Sequence, residues 1–309
     1  SSDLAMFVSR HALAAAGKIA LAFFCLTTQP AGAQPTYRVV EIAPLPGDSQ
    51  SVPHDINDAG EVVGISGSNN AFIWSAKDGA KKVATVEAPH YFWRQPTTRL
   101  QINNRGSAVG PNFTWTKAGG VRYRENVCFP SGGCYVGIGF GGINDNDEVS
   151  VSSMTSNSYF AFIHNARTNT YRNAGYNYIW PAYSYNLNNS GVFVGGMFNK
   201  RPGTTGAFIR GFINAPFPTY VGPGANGTVS ELYDINDAGA AVGQDSGYPY
   251  IYYSANDYLY INLPGTAQAI NKEGAVVGNV GGRAFIYLKG VGAYYIESLT
   301  SQLAEKALE

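Results

Sequence analysis

The sequence predicts an all-β fold, a six-bladed β-propeller of four-stranded antiparallel blades. Three observations predict it. One short motif occurs six times along the chain. A second, aromatic motif follows each copy. Gly and Tyr are abundant, at 37 and 21 of 309 residues, while only 14% of residues are charged. That composition suits many short strands joined by tight turns.

The first motif begins His54-Asp55-Ile56-Asn57-Asp58-Ala59-Gly60 and continues Glu61-Val62-Val63-Gly64. Its aliphatic-Asn start returns at Ile102-Asn103, Ile143-Asn144, Leu187-Asn188, Ile235-Asn236 and Ile270-Asn271. The starts at 56, 102, 143, 187, 235 and 270 are separated by 46, 41, 44, 48 and 35 residues. A repeat of this length, carrying four short strands, is the mark of a propeller blade.

The first unit illustrates each element. Ser51 to Ile56 is an extended run. Asn57-Asp58-Ala59-Gly60 is a hairpin turn, where Asn and Asp bond turn backbone and Gly supplies positive φ. Glu61 to Ile65 is the second strand, Ala71-Phe72-Ile73-Trp74 the third, and Lys82 to Thr85 the fourth, after a turn at Asp78-Gly79. The third-strand pattern recurs at Phe113-Thr114-Trp115, Ala161 to His164, Ala207 to Arg210, Tyr250 to Tyr253 and Ala284 to Tyr287. In the third unit Asp147 replaces the turn Gly; Asp tolerates the left-handed region, so the turn is expected to survive. Tyr37 to Ile42 resembles a fourth strand and is expected to close the ring beside Ala293 to Ile296.

The N-terminus has the composition of a secretory signal peptide. Basic residues precede an apolar run, Ile19 to Leu26, and Ala31-Gly32-Ala33 supplies a small-x-small cleavage site before Gln34. The run is too short to span a bilayer as a helix. Met6 is the expected native start. The domains expected are therefore 1–33 as upstream residues and signal peptide, 34–297 as the six-repeat propeller, and 298–309 as a tail or short helix. The mature protein is expected to be secreted or periplasmic in a bacterium, monomeric, and without a membrane span. Export also frames the cysteines. Cys25 leaves with the signal, and Cys128 and Cys134 flank a Pro- and Gly-containing loop, where a disulfide is expected.

The repeat, with Ile-Asn-x-x-Gly-x-Val-Val-Gly followed by Ala-Phe-Ile-Trp, resembles the HAF-type bacterial extracellular repeat over about residues 36 to 297. The resemblance implies export and a propeller-like fold. It implies no settled activity and carries over no catalytic residues.

Formal net charge is zero, with 21 basic and 21 acidic residues, and no basic stripe exists to bind nucleic acid. In a propeller the first strand of each blade lines the channel, and the interblade connections open on the face opposite the Asn-Gly hairpins. Three of those connections are long. One carries His90, Trp93 and Arg94, one the two cysteines, and one Tyr178, Trp180, Tyr183 and Tyr185. Exposed rings among polar groups form a recognition surface on which sugars stack; their alternative role is to cover the core.

The channel columns align as Asp55, Gln101, Gly142, Asn186, Asp234 and Ala269, preceded by His54, Leu100, Gly141, Tyr185, Tyr233 and Gln268. Arg99 and Glu231 lie further up. These columns are polar where a core strand would be apolar. Three functions follow. The first is a binding module for an extracellular ligand or polysaccharide, using His90, Trp93, Arg94, Tyr178, Trp180, Tyr183, Tyr185 and Tyr233. The second is a polymer-degrading hydrolase or lyase with His54, Asp55, Arg99 and Asp234 at the channel mouth. The third is a structural surface protein in which channel Asp and Asn simply bond backbone. His164 takes a packing position. No cofactor and no metal site are expected, although Asp145-Asn146-Asp147-Glu148 has the residue types of a weak calcium loop.

Overall fold

A computed structural model describes residues 3–7, 20–25, 38–87, 99–123, 127–128, 134–154, 159–178, 182–199, 208–214, 218–221, 230–254 and 257–296. Twenty-four of its strands follow the repeat. Ser51–Ile56, Val62–Ser66, Asn70–Ser75 and Gly79–Thr85 form one antiparallel blade in chain order. The second, fourth, fifth and sixth repeats each build a four-stranded sheet in the same order. The protein is thus all-β, with four-stranded antiparallel blades in a propeller arrangement.

The third repeat departs from the expected six equal blades. Val127–Cys128 adds an edge strand against Cys134–Ile143, so this sheet has five strands and the four-stranded blades number five. The added strand comes from the cysteine loop, whose backbone doubles back and pairs Cys128 opposite Cys134.

The second strand of the blades is buried on both faces, which explains the unbroken Val-Val pairs, while outer strands such as Gly120–Tyr123 are exposed. Val62 and Val63 are both fully buried. Val63 packs with Ala71, Leu100, Ile102 and Phe113 toward the second repeat, whereas Val62 packs on the other side with Phe72. Equivalent clusters join the second repeat to the third, the fourth to the fifth and the fifth to the sixth.

The Gly that closes each Val-Val-Gly has a packing reason. Gly64 is paired across the sheet with Phe72, and a Cβ on it would lie 2.7 Å from the Phe72 ring. Gly278 stands in the same relation to Phe285, at 2.6 Å. The ring lies across the bare Cα, so facing positions need a large side chain on one strand and none on the other. Asp147 sits at φ 60°, in the left-handed region its turn requires.

Closure differs from expectation. Arg38–Glu41 pairs with Ala20–Cys25 in a separate three-stranded sheet with Asp3–Phe7, and not with Gly292–Tyr295, which pairs with Arg283–Leu288 and ends its own sheet. The N-terminal segment instead packs Ile42 and Leu45 on Val62 and Phe72. Ser51 Oγ donates to the Ile42 carbonyl at 2.5 Å, and Leu45 N donates to Ser66 Oγ at 2.9 Å. Phe72 therefore meets this segment where Phe113 and Phe285 meet the preceding repeat. The apolar run assigned to the signal peptide thus contributes a strand, Ala20–Cys25. The expected tail, 298–309, lies outside the described residues.

Candidate functional site: an axial cup ringed by asparagines

The repeated Asn is the hub of each hairpin and also the link to the next repeat. Asn103 Oδ1 accepts from the amides of Arg105 and Ser107, at 3.1 and 2.8 Å, which shapes its own turn. Its Nδ2 donates to the carbonyl of Asn144 at 2.7 Å. The same link runs from Asn57 to Asn103 O (3.0 Å), from Asn144 to Asn188 O (3.0 Å), from Asn188 to Asn236 O (3.2 Å) and from Asn236 to Asn271 O (3.0 Å). Five links thus join six hairpins.

A second ring lies one residue outward. The amides of Asp58, Asn104, Asp145 and Asn189 donate to the side-chain oxygens of Asn104, Asp145, Asn189 and Asp237, at 2.7 to 2.8 Å. Lys272 occupies this position in the sixth repeat and has no acceptor to offer. Its Nζ lies 3.9 Å from Asp58 Oδ2 instead. Both rings therefore change character between the sixth repeat and the first.

These hairpins surround a cavity of about 290 Å³ lined by residues of all six repeats. The cavity opens among the hairpins, whereas the sequence reading favoured the opposite face, whose connections with His90, Trp93, Arg94 and Trp180 lie outside the described residues. Its wall is layered by sequence position. The outer Asx ring comes first, then the Asn ring, then an aliphatic collar of Ile56, Ile102, Ile143, Leu187, Ile235 and Ile270. Deepest are Asp55, Asp234 and Ala269, one strand residue further in.

The channel residues expected from the sequence do converge. Asp55 Oδ2 accepts from Ile102 N at 2.9 Å and Asp234 Oδ2 from Ile270 N at 2.7 Å, so each carboxylate staples its blade to the next. Asn186 Nδ2 donates to Asp234 Oδ1. Burial, and then the charge of Asp234, pushes the Asp55 carboxyl up to about 7 against the opposing pull of the Ile102 and Ile56 amides and Arg99. Burial raises Asp234 in the same direction. His54 Nδ1 accepts from Leu100 N at 3.0 Å, which leaves the ring proton on Nε2. Burial and the nearby Arg99 charge hold His54 down at about 4, so the imidazole is neutral at pH 7.

Side chains also cross the axis. Arg99 Nη1 donates to Gln268 Oε1 at 3.0 Å, and Gln101 Nε2 to Tyr185 O at 3.5 Å. Gly142 makes this possible, because a Cβ there would collide with Asn186 Oδ1 and Gln101 Oε1. A β-bulge in the first strand of four blades falls at His54, Tyr185, Tyr233 and Gln268, re-aiming each side chain. Tyr185 and Tyr233 both donate to Glu231, at 2.8 and 2.7 Å, and Gln244 adds a third bond at 3.1 Å. Their rings lie 5.5 Å apart. Burial and the Glu231 charge raise the Tyr233 hydroxyl, so it stays a hydrogen-bond donor.

The other sequence candidates fare unequally. His90, Trp93, Arg94 and Trp180 lie outside the described residues. Tyr178 and Tyr183 lie on strands Thr170–Tyr178 and Ala182–Leu187, with only their backbone described. Cys128 and Cys134 face each other in register. His164 is buried as expected, stacked between Phe140 and Tyr171 with centroids 5.6 and 4.4 Å away. In the acidic loop, Asp145 accepts from Asn104 and Asn189, and Asp147 Oδ1 accepts from Asn103 Nδ2 at 2.9 Å. The two ladders were not anticipated. The available signal was that Asn alone never varies across the six turns, although Asp or Ser also suits such a turn.

The fold and its axis define a β-propeller. No family model matches the chain, and no curated protein matches it. Among solved structures it is similar to the extracellular domain of a one-component system from B. thetaiotaomicron, with TM-score 0.43 and 11% identity over 82% of this chain and 34% of that one. This chain thus spans about a third of that protein's length. It is also similar to the Dos1 propeller (TM-score 0.43, 12% identity, 87% and 78% covered) and to a Pyrococcus horikoshii acylaminoacyl peptidase (0.48, 10%, 99% and 52%). Among the described residues no helix is long and apolar enough to cross a membrane.

Proposed function

We propose that this protein is an exported bacterial binding module of the HAF-type repeat family, with the five-stranded sheet counted as a sixth blade, that recognises an extracellular ligand or polysaccharide without turning it over. One observation carries the choice of binding over catalysis. The acid–base residues at the axis are already engaged in structure. His54 Nδ1, Asp55 Oδ2 and Asp234 Oδ2 each hold the backbone of the following repeat. His54 would have to give up its bond to Leu100 N to take a second proton, and each carboxylate would have to act while one of its oxygens holds a blade contact. The aromatic stretches with His90, Trp93, Arg94, Tyr178, Trp180 and Tyr183 are the glycan-stacking surface in this reading.

The test is a polysaccharide and oligosaccharide binding screen on the mature protein, with product analysis of the same mixtures. Binding that disappears with Trp93→Ala or Trp180→Ala, and no product, is the expected result. A catalytic reading keeps one observation in its favour: Asp55 is raised while the adjacent His54 is lowered, and opposed displacements mark acid–base pairs. Product that forms with the native protein and is lost with His54→Ala would replace the binding reading by that one.

A further inference from the structure

Resting on the reading of this protein as a binding module, we propose that the axial cup takes a slim organic cation, an alkylammonium group whose chain threads the aliphatic collar and whose charged head reaches Asp55 and Asp234.

Charge distribution is the first support. The chain as a whole carries 21 basic and 21 acidic residues. The cavity lining holds Asp55, Asp58, Asp145, Asp234, Asp237 and Glu273 against Lys272 as its one cationic side chain. Acidic side chains thus outnumber basic ones six to one around this cup in a protein that is neutral as a whole, and a cation bound beside Asp55 and Asp234 favours their ionised forms.

Donor supply is the second. Nδ2 of Asn57, Asn103, Asn144, Asn188 and Asn236 is spent on the next hairpin's carbonyl. The outer amides of Asp58, Asn104, Asp145 and Asn189 are spent on the neighbouring Asx oxygens. The ladders therefore use up the donors along the wall and leave acceptor capacity facing inward. An anion or a sugar hydroxyl seeking an acceptor role finds few partners there, whereas an ammonium brings three donors.

Layering decides between an organic cation and a metal ion. Asp55 and Asp234 each stand one strand residue before a member of the ring of six aliphatic residues, on the side away from the hairpin turns. A hydrated divalent ion would have to shed water while passing that ring. It would also need several oxygen ligands in one place, and among the described residues no cluster of three or more metal-ligating side chains exists. An alkyl chain instead gains by contact with the collar while its head meets carboxylate. The cavity of about 290 Å³ fits a ligand of this size and excludes a folded polymer.

The experiment uses n-butylammonium and 1,5-diaminopentane as probes against the full-length native chain, by calorimetry and by saturation-transfer NMR on the ligand methylenes. One saturable site is expected, with saturation strongest on the methylenes. Asp234→Asn should weaken binding roughly tenfold or more through loss of a buried charge partner, and butanol and butyrate should not bind. Asp234→Asn keeps the acceptor for Ile270 N, and the NMR readout on native protein stands even if a variant folds poorly. Failure of both amines to bind native protein overturns the inference, as does equal binding by Asp234→Asn, or displacement by calcium at equal concentration. Glycan binding with no amine binding removes the cation site and leaves the binding module intact; amine binding with no glycan binding does the reverse for the aromatic face.

Discussion

Replacing Asn144 by Ala tests the ladder directly. The side chain makes four hydrogen bonds: Nδ2 to Asn188 O and to Glu148 Oε2, and Oδ1 from the amides of Asn146 and Glu148, each at 3.0 Å. At about 1 kcal/mol net for each buried bond, and discounting the half-exposed Glu148 contact, the loss is about 3 kcal/mol. For a domain of this size that corresponds to a fall in Tm of roughly 6–12 °C. Asn271 is the internal control. It occupies the same turn position, where its Oδ1 accepts from Ala275 N at 2.8 Å, and among the described residues no sixth link runs from it to the first repeat. Asn271→Ala should therefore lose only about 1 kcal/mol. Urea titration with an unchanged m-value, together with calorimetry, provides the measurement. Equal losses in the two variants, or a loss below about 1 kcal/mol for Asn144→Ala, would refute the view that the ladder binds repeat to repeat.

Other outcomes follow from the same geometry. Gly142→Ala should destabilise the fold by about 1–3 kcal/mol through overpacking, and Asn186→Ala should restore part of that in a double-mutant cycle; a neutral Gly142→Ala would mean the axis is looser than described. Asp55 is raised from its ordinary 3.8 to about 7, so its contribution to stability is complete below the ordinary carboxylate value and is lost as pH rises through about 7. His54 is lowered from 6.5 to about 4, so its contribution is present above 6.5 and is lost as pH falls toward 4. The two oppose each other between these values, and Asp55→Asn should tilt the denaturation midpoint toward rising with pH relative to the native protein. Parallel pH profiles would contradict the assignment. Peptide mapping of the protein purified under non-reducing conditions should find Cys128 linked to Cys134, as their opposed register allows; two free thiols would remove the disulfide.

Much of the blade was legible because its signals are local. The Asn-x-x-Gly turn, the Val-Val pair buried on both faces and the aromatic third strand each act within one repeat. The channel column from Asp55 to Ala269 was legible because equal positions in equal repeats meet at one axis. What escaped depends on contacts between distant residues. Asn57 and Asn103 bond across 46 positions, and no local pattern distinguishes an Asn that shapes its own turn from one that also links to the next. The edge strand at Val127–Cys128 escaped because two residues have no periodicity to read. The fate of Arg38–Glu41 escaped because a short extended run suits any free sheet edge, and pairing with Ala20–Cys25 competes with pairing at the last blade.

The ladder also explains how the repeats can differ in length and still assemble. Successive hairpins are separated by 46, 41, 44, 48 and 35 residues, yet their Asn-to-carbonyl distances stay between 2.7 and 3.2 Å. A shortening by thirteen residues, 48 minus 35, therefore leaves no mark at the axis. The difference must be taken up away from the hairpins, in the outer strands and in the connections between blades. One end of each repeat is held by its neighbours while the other is free to gain or lose residues, and long loops carry little thermodynamic penalty for growing. The two candidate surfaces thus differ in kind. The axial cup is built by a ladder of five hydrogen bonds that runs from the first repeat to the sixth, so its shape is set by the fold itself. The aromatic stretches belong to individual connections and are set by this sequence alone. Ligand specificity that varies among proteins with this repeat belongs in the connections, whereas a property of the cup should persist wherever the Asn ladder does.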